Sequence, residues 1–374
     1  MFKFALSALV CAFLSMAPSP EVLAAGEGQG ARHYGETAKK AQIRKRSKIV
    51  LNKTKRRASR ERLERRVVTA NGKRKVIYER VARKARVFAP IVTMGDLAGL
   101  HRTRDPLDLK SSVAFVLDEN SSEVLFEKNA NVALPIASIT KLMTGLVVVE
   151  AKQDMDEILT ITDEDVDREK HSTSRLKVGT RMTRANMLHI ALMSSENRAA
   201  SALGRHYPGG LPAFVNAMNA KARALGMNDT HYVDSSGLSS RNVASARDLA
   251  KLVKAASHQP ILREYSTAEK AIVQAGRSRM QFGTTNYLVT RPEWQIGVQK
   301  TGFINEAGRC LVMQAVVAGR NVVMVFLDSK GKQSRTGDAN RMRKWLETLR
   351  AGPVTVSALP EQGGSVDASL TAAP

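Results

Sequence analysis

The sequence predicts an α/β fold (α+β), a mixed antiparallel sheet flanked by helices, between Leu107 and Arg350. Short apolar runs typical of strands occur at both ends of this region, whereas apolar residues in its middle recur at helical spacing. Strands from the two ends can share one sheet if the helices between them form an insertion. About 240 residues are enough to bury one sizeable core. The predicted strands are 112–117, 124–126, 158–161, 295–300, 310–318 and 321–328.

The first two strands flank a polar turn at 118–122 and are predicted to form a β-hairpin. Helices follow. Thr183 has the residue type of an N-cap for a helix over 184–193, and Gly226 ends the helix that starts at Leu211. Gly319 and Arg320 form a short link between the last two strands. The other predicted helices are 142–150, 197–207, 245–257 and 338–349, the last with Trp345 and Leu346 as core anchors.

Ser138 and Lys141 stand three residues apart at the start of the first helix, so their side chains share one face. A serine hydroxyl is a poor nucleophile at neutral pH and needs a base beside it. A lysine amine becomes such a base when burial lowers its pKa. The free amides of the helix N-terminus would stabilise an oxyanion that forms beside Ser138. The pair alone is a weak signal, because serines and lysines at this spacing are common on solvated helices.

Two later motifs strengthen this interpretation. Ser195-Glu196-Asn197 follows the apolar run 187–193, and Lys300-Thr301-Gly302 ends the strand-like run 294–299. The ordered set S-x-x-K, S-x-N and K-T-G is typical of penicillin-binding proteins and class A β-lactamases. Each motif here occurs in the helix, loop or strand context that it requires.

The region from about residue 111 to residue 345 resembles the low-molecular-mass penicillin-binding proteins, and within them the D-alanyl-D-alanine endopeptidase branch of the serine DD-peptidases. This resemblance implies the sheet-and-helix fold shared with serine β-lactamases, with an all-helical subdomain beside the active site. It also implies action on peptidoglycan peptide stems and acylation by β-lactam antibiotics. The residues that carry it are Met193-Ser194-Ser195-Glu196-Asn197-Arg198-Ala199-Ala200, Tyr207-Pro208-Gly209-Gly210, Gly237-Leu238-Ser239 and Lys300-Thr301-Gly302-Phe303.

The resemblance also implies roles for individual residues. Ser138 is the acylated nucleophile, Lys141 its base, and Ser195 relays a proton to the leaving amine. The oxyanion hole is expected at the backbone amides of Ser138 and Phe303, and Lys300 is expected to supply positive charge that keeps the pKa of Lys141 low. Asn197, Thr301 and Gly302 are expected to hold the substrate, and Arg335 is expected to face its anionic end.

Three alternatives remain at this point. A D-alanyl-D-alanine carboxypeptidase would use the same motifs, because both reactions attack the carbonyl of a D-alanine. The endopeptidase is favoured by the flanking motifs and by a sequence that ends soon after the last predicted helix.

A class A-like β-lactamase needs a glutamate that activates water, but the next glutamate after Glu196 is Glu264, too far along the chain for that role. A non-enzymatic scaffold has no physical reason to hold two lysines beside one serine.

The N-terminal residues predict export and a basic extension. Residues 1–24 have the three-part form of a secretory signal peptide, which predicts a periplasmic protein. Residues 25–106 are expected to be basic and largely disordered, with a fragile helix near 58–68. Within them, 31–90 holds 22 Lys and Arg against four Glu, a balance of +18 in a chain of +23. Two interpretations of this basic segment remain open. It is either a solvated linker or a segment that makes electrostatic contact with anionic membrane or cell-wall polymer.

No cofactor, metal or nucleic acid is expected. The histidines lack metal-ligand spacing, and the export signal would send the basic segment away from nucleic acid. Residues 351–374 are rich in Ala, Gly, Ser and Pro and are expected to form a flexible tail. The predicted DD-peptidase domain therefore spans residues 107–350.

Overall fold

The computed structural model describes residues 61–70, 72–82, 91–276 and 278–350. The chain divides into two units, Met1–Ala89 and Pro90–Pro374, and each is described here by itself. The predicted signal peptide and the predicted C-terminal tail lie outside the described residues, and so does most of the basic segment.

The described part of the first unit is an antiparallel β-hairpin of strands β1 (Glu61–Ala70) and β2 (Lys73–Ala82). The helix expected near 58–68 is therefore wrong where the chain is described. Between the strands the sequence reads Asn71-Gly72, the dipeptide that most strongly signals a two-residue hairpin loop. Gly72 has a φ of +74°, as such loops require. Val67 pairs with Val76 across the two strands, and β-branched residues favour this geometry.

The second unit begins earlier than predicted. Residues 91–106, expected to belong to the disordered segment, contain the short helix α1 (Met94–Leu97) and a 3₁₀ turn. Thr93 and Asp96 form a capping box that satisfies the first amides of α1. The Met94 N–H donates to the carbonyl of Glu306 at 2.9 Å and ties this arm to the sheet. A four-residue helix has no periodicity, which explains why a boundary at residue 107 was expected.

Five antiparallel strands form the central sheet, in the order β11-β12-β13-β3-β4. Ser111 pairs with Ser329, so strands from the two ends of the domain meet at its centre, as predicted. β11 forms one edge of this sheet. The strands are β3 (Ser111–Asp118), β4 (Val124–Lys128), β11 (Gln295–Ile304), β12 (Gly308–Val317) and β13 (Arg320–Ser329).

Both faces of the sheet are buried, so its central strands are apolar at successive positions. On one face, Val113, Phe115 and Val325 pack with the helical region. On the other face, Ala114 and Phe326 pack against Met342 and Leu346 of the last helix, which spans Ser334–Arg350.

The helical region lies between β4 and β11 in the sequence. Thr183 caps its second helix by accepting a hydrogen bond from the Asn186 N–H, as predicted. A helix after Pro260 and a hairpin at 270–283 were not predicted. No helix within the described ranges is both long and apolar enough to cross a membrane. The helices are α2 (Thr140–Glu150), α3 (Arg184–Met193), α4 (Asn197–Arg205), α5 (Gly210–Ala224), α6 (Ala246–Ser257) and α7 (Pro260–Thr267), followed after the sheet by α8 (Ser334–Arg350). Short strands are β5 (Leu134–Pro135), β6 (Ile158–Thr160), β7 (Arg181–Thr183), β8 (Val243–Ala244), β9 (Lys270–Ala275) and β10 (Ser278–Gly283).

Candidate active site

Ser138 lies in a 3₁₀ turn, Ala137–Ile139, directly before helix α2. Ala137 has a φ of +50°, a left-handed conformation that costs an alanine about 1–2 kcal/mol. The Thr140 hydroxyl donates to the Ala137 carbonyl at 2.8 Å and holds the turn. A Cβ on Gly237 would lie 2.0 Å from the same carbonyl oxygen, so only glycine fits there. The serine is thus presented at a tightly packed helix start.

Lys141 is fully buried, and its Nζ lies 2.9 Å from Ser138 Oγ. The same nitrogen donates to Asn197 Oδ1 at 2.7 Å and to the carbonyl of Ser236 at 2.5 Å. A neutral amine carries two N–H donors and one lone pair. Two acceptors and one hydroxyl fit the three donors of an ammonium, and they equally fit a neutral amine whose lone pair faces Ser138. The second state is the one that can act as a base.

Burial makes the neutral form of Lys141 accessible near neutral pH. Burial lowers the pKa of Lys141 to about 7, although the carboxylates of Asp234 and Glu196 act in the opposite direction. Roughly half of the Lys141 side chains are then neutral at pH 7. Burial and the positive charge of Lys300 were both expected to lower this pKa, and burial is the principal cause.

Ser195 lies in the turn between α3 and α4, in the left-handed region at φ +62°. Lys300, on β11, donates from Nζ to Ser195 Oγ at 2.9 Å and to the Thr301 carbonyl at 2.8 Å. Burial, and then the nearby cations of Lys141 and Arg335, lower the pKa of Lys300. The second serine–lysine pair thus faces the first across the site.

The β11 edge approaches the nucleophile turn closely at Gly302. A Cβ at this position would lie 2.8 Å from the Ile136 carbonyl oxygen and 3.2 Å from the Ser138 nitrogen. Any side chain would push the strand away from Ser138. Thr301 is buried, with its hydroxyl 2.6 Å from that of Thr285.

Phe303 and Arg335 are two further residues that were expected at the site. Phe303 is 45% exposed, and the guanidinium of Arg309 lies 4.6 Å from its ring centre. Arg335 donates from Nη1 to the carbonyls of Gly302 and Cys310 at 2.8 and 3.1 Å. At least one nitrogen of Arg335 therefore supports strand β11. Arg335 was expected to face the anionic end of the substrate.

Two groups at the site were not predicted. The Ser236 carbonyl, an acceptor for Lys141, is held by Asp234, whose Oδ1 accepts from the Ser236 and Gly237 amides at 2.6 Å each. Asp-Ser-Ser-Gly is a turn signature and could have identified the loop, but not its partner. Ser172 accepts a hydrogen bond from Asn197 Nδ2 at 2.9 Å and has no motif at all.

The site therefore brings together the residues that the three motifs predicted. These are two serines, two buried lysines, one amide side chain and the β11 edge. This arrangement can generate a serine nucleophile next to a neutral amine and bind an extended peptide on the strand. Among the described residues, no group of three or more metal-ligating side chains could hold a metal ion.

Comparison with known proteins agrees with this chemistry. The family model for D-alanyl-D-alanine carboxypeptidase, peptidase S11, matches residues 101–331. A D-alanyl-D-alanine endopeptidase of Pseudomonas aeruginosa is 45% identical over 253 residues, which cover 67% of this chain and 82% of the relative. The D-alanyl-D-alanine endopeptidase of Escherichia coli is 42% identical over 254 residues, with the same coverage.

Solved structures share the fold. The Streptomyces K15 DD-transpeptidase aligns with a TM-score of 0.61 at 25% identity, covering 66% of this chain and 100% of that one. A D-alanyl-D-alanine carboxypeptidase from Mycobacterium tuberculosis aligns with a TM-score of 0.59 at 26% identity, covering 66% and 94%. With its serine–lysine site and a family match over more than half its length, the chain belongs to the D-alanyl-D-alanine carboxypeptidase family, peptidase S11.

Proposed function

We propose that this protein is a serine DD-peptidase that cleaves D-alanyl crosslinks of peptidoglycan through an acyl-serine intermediate. The observation that carries the proposal is the position of the buried Lys141 amine, whose Nζ lies 2.9 Å from Ser138 Oγ and is held there by Asn197 Oδ1 and the Ser236 carbonyl. The two relatives above are named endopeptidases, which supports the crosslink as substrate.

In the acylation step, Ser138 Oγ attacks the carbonyl carbon of the D-alanine while Lys141 takes the hydroxyl proton. The backbone amides of Ser138 and Phe303 hold the oxyanion. As the tetrahedral intermediate collapses, the C–N bond breaks and the leaving amine receives a proton through Ser195, which lies 2.9 Å from Lys300 Nζ. The donor half of the crosslink is then an ester of Ser138.

Deacylation reverses these roles. Water attacks the ester carbonyl, Lys141 accepts a proton from it, and the C–O bond to Ser138 breaks with return of a proton to the serine. The products are a free carboxylate on the D-alanine and a regenerated hydroxyl. No cofactor enters this balance.

Substrate binding uses the free edge of β11. A peptide that lies along Thr301 and Gly302 would pair with their backbone as an added strand, and Asn197 would hold its backbone from the opposite side. A substrate carboxylate near Lys300 would favour the charged ammonium and oppose the effect of burial on its pKa.

Digestion of purified peptidoglycan, followed by chromatography of the fragments, tests the bond that is cut. We expect crosslinked dimers to fall to monomers while free pentapeptides stay largely intact, because an endopeptidase acts on the internal link. Loss of the terminal alanine from pentapeptides with dimers persisting would replace this proposal with a carboxypeptidase. A catalytically inactive Ser138→Ala protein serves as the control.

We further propose that the protein works in the periplasm, where the basic segment attaches it to an anionic envelope surface. The signal-like residues 1–24 and the +18 balance of 31–90 support this. In the described hairpin, Tyr78 is 66% exposed and residues 73–75 are three consecutive cations. Aromatic and cationic side chains together suit an anionic surface.

Deletion of residues 31–90 is expected to lower cosedimentation with sacculi or anionic vesicles at low salt, since charge contacts are screened over about 8 Å at physiological ionic strength. Activity on soluble peptide fragments should not change. Neutral vesicles provide the control, and comparison of sacculi with vesicles identifies the surface. Equal binding with and without the segment would make it a linker.

A further inference from the structure

Residues 167–176 form a loop next to Asn197, on the helical side of the site. Three hydrogen bonds fix it to the start of helix α4. Asn197 donates to Ser172 at 2.9 Å, Ser174 donates to Glu196 at 2.6 Å, and Arg198 donates to the Leu176 carbonyl at 2.6 Å. We call this loop the wall of the site, because it holds Asn197 and reaches the β11–β12 turn through Lys170.

Both ends of this wall contact other elements. At one end, Arg175 donates to the Gln281 carbonyl at 2.6 Å and stacks over Phe282 of β10, with its guanidinium 4.0 Å from the ring centre. At the other end, Lys170 Nζ lies 2.6 Å from Glu306 Oε1. Glu306 belongs to the turn between β11 and β12, just beyond the end of β11 at Ile304. This ion pair spans the gap between wall and sheet.

The strand edge is thus bounded by two contacts with the helical side. Lys300 meets Ser195 at one end, and Glu306 meets Lys170 at the other. Five residues lie between Lys300 and Glu306, and the extended part, from Lys300 to Ile304, spans about 13 Å. An extended peptide segment of about five residues can lie along it.

We propose that Lys170 and Glu306 form a clasp that closes one end of the substrate groove and opens to admit a crosslinked peptide. The inference rests on the proposed function. A crosslink within peptidoglycan is joined to glycan on both sides and has no free end to thread into a closed groove. It must enter from the side, which requires the wall and the sheet to separate at the clasp.

The chemistry of the pair suits a reversible contact. The Lys170 and Glu306 side chains remain 26% and 36% exposed, so water can replace each partner when the pair separates. Two further carboxylates act on Lys170: Glu169, which lies 3.8 Å away and is half exposed, and Asp167. Exposed pairs of this kind stabilise the closed state only slightly and weaken in salt.

Lys170→Gln and Glu306→Gln, each made in the full chain, remove the pair while keeping side-chain size similar. We expect each variant to cleave crosslinks in intact sacculi about three- to fivefold faster at low salt, the range that a partly exposed pair allows. The rate of acylation by penicillin, a small molecule that needs no opening, should not change. Added salt should bring the wild-type rate toward that of the variants.

The double variant Lys170→Glu/Glu306→Lys restores the pair with reversed charges and should return the rate to that of wild type. Crosslink cleavage that stays unchanged or falls in both single variants would overturn the clasp. A parallel fall in penicillin acylation would overturn it as well, because the pair would then position Asn197. A wild-type protein that reacts with penicillin but leaves crosslinks intact would instead refute the proposed function, and the clasp with it.

Discussion

The Ser138→Ala variant is expected to lose crosslink hydrolysis and penicillin labelling together, by a factor on the order of 10⁴ to 10⁶. The hydroxyl oxygen forms the acyl bond, and it is the atom that lies 2.9 Å from Lys141 Nζ. Folding should be intact, because alanine fits where serine did. Chromatography of digested peptidoglycan and mass spectrometry of the penicillin-treated protein measure the two losses.

Ser121→Ala, in the turn between β3 and β4, is the matched control and should keep full activity. In the wild type, the penicillin adduct on Ser138 should persist, because no glutamate occurs between Glu196 and Glu264 to activate a water. Rapid loss of the adduct with multiple turnovers would indicate a β-lactamase. Undiminished hydrolysis in Ser138→Ala would refute the assignment of the nucleophile.

Lys141→Met is expected to slow acylation by a factor on the order of 10² to 10⁴, the usual contribution of a general base. The change also leaves Asn197 Oδ1 and the Ser236 carbonyl without the donor that they share. The rate of acylation by a chromogenic β-lactam measures the effect. Lys270→Met, at an exposed position on β9, should react at the wild-type rate.

The pH dependence of the acylation rate distinguishes a general-base role of Lys141 from a purely structural role. Because the pKa of Lys141 is lowered to about 7, the neutral and basic form becomes dominant as the pH rises through that value. The wild-type acylation rate should therefore increase from about pH 6 to about pH 8 and then level off. The residual rate of Lys141→Met should show no such rise. A wild-type rate that is constant over this range would contradict the role of Lys141.

Much of the fold could be predicted from local patterns. The N-cap at Thr183 and the β3–β4 hairpin follow from residue types and spacing alone. The three C-terminal strands were found, but β11 continues to Ile304, through the motif that was expected to end it. The reason is that Lys300–Gly302 pairs with β12 on one side while its other edge remains open.

The parts that were missed depend on short or nonlocal signals. The arm at 91–106 is fixed by a four-residue helix and by contacts with distant residues, such as the hydrogen bond to Glu306 and the buried ion pair of Asp105 with Lys128, and none of these has a periodic pattern. The β1–β2 hairpin did carry a signal, Asn71-Gly72, which the high charge of the surrounding residues obscured.

The distinction between local patterns and nonlocal contacts also applies to the active site. Motif spacing identified the side chains that meet, from Ser138 to Lys300. It could not identify the Ser236 carbonyl, because every residue carries a carbonyl and only the folded loop places this one at Lys141. Burial was expected to lower the pKa of Lys141, but its extent depends on how the helices pack and could not be read from the motifs.

The pairing of Ser111 with Ser329 has a consequence for how the protein folds. Bringing Ser111 and Ser329 together closes a long loop of the chain, and the entropy cost of this closure is not offset by local contacts. The central strand pair should therefore form late and slowly. The helical region, which holds Ser138, Lys141, Asn197 and Ser236, can assemble from nearer contacts beforehand. The β11 edge reaches Ser138 only once the last strands have paired. Reaction with a β-lactam should therefore mark the completion of folding, and not the earlier appearance of secondary structure.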